Sequence, residues 1–152
     1  MGKIAIILAV MMLCACGGVD PSYFTNHGMI VTVSEKNRPG PKAVEKWTDF
    51  TIGFWRFFHP SWLVCMNNST ASTHAIFYDK DYVENDGERL AGYAERDLTI
   101  HVSNGPGKKV PVTFVHELSH VLVGECGGVW GNHGSHAMFV ELLLEPIAGA
   151  LL

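Results

Sequence analysis

Charge is scarce in this chain. Of its 152 residues 17% are charged, and the formal net charge is -4. Lysines and arginines form no basic field, so nothing in the composition argues for nucleic acid as a partner. The acidic residues are scattered, which excludes an acidic tail. There is no internal repeat at solenoid periods. A long hydrophobic run is also missing: the apolar stretch at residues 4–13 is too short to span a bilayer as a helix. Cysteine is sparse, with two of the four crowded at Cys14 and Cys16, leaving Cys65 and Cys126 for the rest of the chain. What is present is 47% hydrophobic residues over the length of one ordinary domain, enough for a real core.

The first residues read as a secretory signal: Lys3, the short apolar run, then small residues. The sequence Leu13-Cys14-Ala15-Cys16-Gly17 resembles a bacterial lipobox. That resemblance implies cleavage before Cys16, lipid on Cys16, and stable anchoring at a membrane face in the cell envelope. Gly17 stands where an Asp would hold the protein at the inner membrane, so the resemblance to enterobacterial lipoproteins favours the outer membrane. An ordinary signal peptide cut nearby, or a short membrane anchor, remains the other reading. The chain then divides into a signal at 1–15, a lipidated cysteine and linker at 16–28, and a domain at 29–152. In an oxidising compartment Cys65 and Cys126 can pair. The alternative is two buried thiols, and the sequence does not choose between them.

Along the domain, residues 29–33 are β-branched and read as a strand. Residues 43–58 carry Ala43, Trp47, Phe50 and Phe54 at helical spacing, a stripe best explained by core packing. Pro60 stops that helix. Residues 62–66 and 74–78 are strand candidates separated by a polar loop at 67–73, and residues 79–89 are charged and expected to be exposed. Residues 92–94 lead into a strand at 98–102, and residues 104–107 (NGPG) form a turn. A helix is expected from about Thr113, which can cap its start. A glycine-rich segment at 124–134 and a last helix at 136–145 follow. The order gives an α+β fold with a small twisted sheet.

The strongest chemical signal is His116-Glu117-Leu118-Ser119-His120. Histidines four apart lie one turn above each other on a helix. Their nitrogens can reach one metal ion at about 2.0–2.1 Å. Glu117 projects about 100° round from His116, placed to touch an attacking water rather than to ligate. Phe114, Leu118, Val121 and Leu122 recur at i, i+4, i+7 and i+8, roughly opposite the histidines. One face therefore enters the core, and the other presents His116, Glu117 and His120 to a cleft. His27, His59, His74 and His101 lie far away in sequence and read as surface or core residues.

With these residues the chain resembles the zincin metallopeptidases, and among them metzincins of matrixin type, whose motif runs HExxHxxGxxH before a methionine turn. HELSH matches the core of that motif. Val123 stands at the glycine position, Gly124 comes one residue late, and Cys126 stands where the third histidine belongs. The later segment containing His133, His136 and Met138 resembles the family's last histidine and methionine turn, displaced by an insertion. A catalytic zinc keeps three protein ligands and one open position. His133, in a glycine-flanked loop, is the first choice for the third, followed by His136, Glu141 and Cys126. Met138 is equally readable as core. The resemblance extends loosely to the Trp47 helix and to residues 92–94, where matrixins hold extended substrate, and Tyr93 would stabilise a transition-state oxygen if it reached the cleft.

The resemblance implies a zinc-dependent peptidase in which His116, His120 and His133 hold the metal and Glu117 is the general base. Its partners would be a peptide or protein substrate and, through the lipid, a membrane. Another class stays open: a non-catalytic, zinc-stabilised envelope or phage-encoded lipoprotein that binds a partner through a closed site. Amidase action on cell-wall peptides is a third reading, suggested by location alone.

Overall fold

A computed structural model of the chain describes residues 22–34, 39–130 and 140–152. Cys14, Cys16, His133, His136 and Met138, with the signal and the first part of the expected linker, lie outside the described residues. The fold is α+β. Strands β1 (Ser22–Phe24), β2 (Ile30–Val33), β3 (His74–Tyr78), β6 (Gly92–Ala94) and β7 (Thr99–Ser103) form one mixed sheet in the order β1-β2-β3-β7-β6. β2, β3 and β7 run parallel, and β1 and β6 are antiparallel additions at the two ends. A separate hairpin, β4 (Val83–Asn85) with β5 (Glu88–Leu90), leaves the sheet between β3 and β6. The helices are α1 (Pro41–Phe58), α2 (Leu63–Ala71), α3 (Val110–Gly127) and α4 (Glu145–Leu151), the last preceded by a π-helical turn at Val140–Leu144.

Strand alternation sets the core. Val31 and Val33, Ala75 and Phe77, and Ile100 and Val102 are buried on one sheet face. Trp47 and Trp55 of α1 and Phe114 and Leu118 of α3 cover them. Trp47, Phe77 and Phe114 form a ring cluster with centroids 5.7–6.3 Å apart, so both helices are seated on the sheet by aromatic contact. The other face carries a polar ladder in which Thr32 Oγ1 lies 3.2 Å from Ser22 Oγ and 2.9 Å from His74 Nε2.

Three expectations are corrected. Residues 22–24 pair with β2 instead of belonging to a linker. Residues 62–66, expected as a strand, close a short 3-10 turn (Pro60–Trp62) and begin α2, which also absorbs most of the expected polar loop. A short apolar run does not distinguish strand from helix, and here packing decides. Residues 79–89 are largely exposed, as expected, and most of their second half belongs to the β4–β5 hairpin. The motif helix starts earlier than expected, with Pro111 in its first turn, so Thr113 lies inside the helix and does not cap it.

Cys65 of α2 and Cys126 of α3 form a disulfide, with Cα atoms 5.7 Å apart. Among the described residues, no helix is long and apolar enough to cross a membrane.

Candidate active site

The motif lies in the middle of α3. Phe114, Leu118, Val121 and Leu122 are all fully buried, as the helical spacing requires of the face opposite the histidines. The motif's Ser119 is buried too. The Trp55 indole N–H donates to Ser119 Oγ at 2.9 Å, and the hydroxyl donates to the Val115 carbonyl at 2.7 Å. This fixes the rotation of α3 against α1 and aims the histidines away from the core.

On the open face, His116 Nε2 and His120 Nε2 lie 3.0 Å apart. Two nitrogens each about 2.0–2.1 Å from one tetrahedral ion come close to that separation. His116 Nδ1 lies 2.6 Å from Glu145 Oε1, so Nδ1–H donates to the carboxylate and Nε2 keeps its lone pair for a cation. Ligand atoms of His116, Glu117 and His120 fall within 4.8 Å of one another. The donor set fits zinc: two imidazoles, one of them oriented by the Glu145 carboxylate, beside a second carboxylate, Glu117.

Glu117 is 6% exposed and makes no hydrogen bond with another described residue. Burial, with Glu145 adding to it, pushes its carboxyl up to about 8. Close approach of β6 to α3 encloses it. A Cβ on Gly92 would fall 2.7 Å from Thr113 Cγ2, 2.8 Å from the His101 carbonyl oxygen and 3.1 Å from Glu117 Cγ, so this position requires glycine.

His116, Glu117 and His120 open into a cleft of about 890 Å³. Its walls are β6, the β4–β5 hairpin, Trp130 and Glu145. Tyr93 reaches the cleft, as its place in the sequence suggested, but its ring stacks on His101 with centroids 4.3 Å apart. His101 is held in turn by Tyr78 OH, 2.8 Å from Nδ1, and by Glu95 Oε1, 3.3 Å from Nε2. Burial lowers the His101 pKa against the pull of Glu95.

The remaining third-ligand choices separate by position. His133 and His136 lie outside the described residues. Cys126 is spent in the disulfide and offers no thiolate, which removes it as a ligand. Glu141 is exposed and does not line the cleft. A second His–carboxylate group, His27 with Glu45 and Asp49, does not line the cleft either; there His27 Nε2 lies 2.7 Å from Asp49 Oδ1 and ties the β1–β2 turn to α1.

Sequence reasoning missed Glu145, Trp130 and the hairpin tip. Glu145 had no signal beyond being a carboxylate near the end of the chain, because the docking of α4 on α3 alone brings it to His116. Trp130 had one: its ring lies over Gly124, where a Cβ would come within 2.3 Å of the indole. The glycine one residue late in the motif is therefore a seat for that tryptophan.

No protein-family model matches the chain, and no curated protein or solved structure matches it either.

Proposed function

We propose that this chain is a zinc-dependent peptidase whose centre is built on His116, Glu117 and His120. The facing Nε2 atoms of the two histidines carry the reading, with buried Glu117 beside them at the base of an open cleft. His116 and His120 would hold the ion, and Glu145 would orient His116 through Nδ1. The third ligand is assigned to His133, on the sequence argument alone. A bound zinc supplies Lewis acidity, lowering the pKa of water and polarising a carbonyl. Glu117 takes a proton from the attacking water and passes it to the leaving amine. The C–N bond breaks, hydroxyl goes to the acyl carbon, and the proton completes the amine. Substrate lies in the cleft along β6. The lipobox resemblance adds a tether at Cys16 and a place in the cell envelope.

Chelation followed by zinc restoration tests this. Cleavage of a broad peptide library should disappear with chelator and return with about one equivalent of zinc per chain. A fully zinc-loaded wild type that cleaves nothing would defeat the peptidase reading and leave the zinc-stabilised binding lipoprotein in its place.

A further inference from the structure

The β4–β5 hairpin has no part in holding a metal, yet it forms a wall of the cleft. Its register pairs Asn85 with Glu88, joined through Asp86 and Gly87 at φ 50° and 82°. Two central residues with positive φ make the tight turn that suits hairpin twist. Alternation then sorts the side chains. Asn85, Glu88 and Leu90 line the cleft, with Asp86 at the tip. Glu84 and Arg89 face each other across the strands on the opposite side, and the Arg89 guanidinium lies 4.3 Å above the Tyr82 ring. The hairpin's one cation is thus turned away with Glu84, while Asp86 and Glu88 stay on the cleft side.

The rest of the lining agrees in sign. Glu145 closes the cleft from α4, and no Lys or Arg lines it among the described residues. Residues 131–139 contain no Lys or Arg either. The independent sign that this cavity receives a ligand is Glu117, 6% exposed, facing the cleft without a hydrogen-bond partner among the described residues.

We infer that the cleft selects peptides with a Lys or Arg side chain beside the scissile bond, and that Asp86 and Glu88 read that charge. The inference rests on the peptidase reading above and names its substrate class. A cationic side chain finds carboxylates on the wall, whereas an acidic one meets like charge, so the cleft selects by repulsion as well as by attraction. Asp86 and Glu88 are exposed, so the preference is moderate and sensitive to salt.

The test uses the full chain carrying Glu117→Gln, loaded with zinc, and fluorescent peptides differing only in Lys, Gln or Glu at one position. Fluorescence anisotropy should show Lys bound about tenfold more tightly than Glu at low salt. The ratio should fall to within about twofold in roughly 0.5 M salt, and likewise when Asp86→Asn and Glu88→Gln are added. Wild-type kcat/KM values should rank the peptides in the same order. Equal binding, a preference for Glu, or a Lys preference that survives the Asp86→Asn/Glu88→Gln change in a folded protein would overturn the inference. The two readings fail separately. Hydrolysis without charge preference sinks only the inference, and charge-selective binding without wild-type hydrolysis sinks only the peptidase.

Discussion

Glu145 reaches His116 from 29 residues further along the chain, and its contact with Nδ1 leaves Nε2 as the nitrogen that faces His120. Replacing a carboxylate in that position costs a metal site about 10–100-fold in affinity. Glu145→Gln should weaken zinc binding by that factor, measured by competition with a chromophoric chelator, while far-ultraviolet circular dichroism stays unchanged. Glu117 gives a pH prediction for the metal-free chain. Burial holds its carboxyl at about 8 in the folded chain, above the ordinary glutamate value of 4.5. The folded state therefore binds more protons than the unfolded state between those limits, and stability falls as pH rises from 4.5 to 8. The full effect is on the order of a few kcal/mol. Urea unfolding of metal-free protein should show this decline, and Glu117→Gln should flatten it. The histidine pair and Glu117 were legible in the sequence because their geometry is internal to one helix, where spacing fixes the face. Glu145, Asp86 and Glu88 were not, because only tertiary docking turns them towards the same cleft.

The elements show the same division. Helix α1 and strands β3 and β7 were readable, since each has a clear period and a buried face. Residues 62–66 were misread because their apolar run is too short to show a period, and their helix is held from outside by α3. That tie includes the Cys65–Cys126 disulfide, which closes a loop with a sequence separation of 61. Opening it in a Cys65→Ser/Cys126→Ser variant should cost about 2–4 kcal/mol in chemical denaturation. The proposed zinc ligands His116 and His120 sit a turn or more from Cys126 on α3, so zinc affinity should change far less than stability. Gly124 is a second control point on α3. A Gly124→Ala methyl would collide with the Trp130 ring and displace one cleft wall. Tryptophan fluorescence should shift, and peptide KM should rise more than kcat falls.

At the level of the whole molecule, a metal that binds only the folded chain stabilises it by mass action. Zinc at a hundredfold above its Kd contributes about 2.7 kcal/mol, which in a chain of this size raises Tm by roughly 5–10 °C. Chelator should remove that increment from the wild type, and a His116→Ala/His120→Ala variant should show no response to zinc. The most direct test of the central claim is hydrolysis by Glu117→Gln beside wild type at equal, verified zinc content. The account predicts that the variant keeps its zinc and loses peptide cleavage by a factor of about 10²–10⁴. Cleavage at the wild-type rate by the zinc-loaded variant would contradict it.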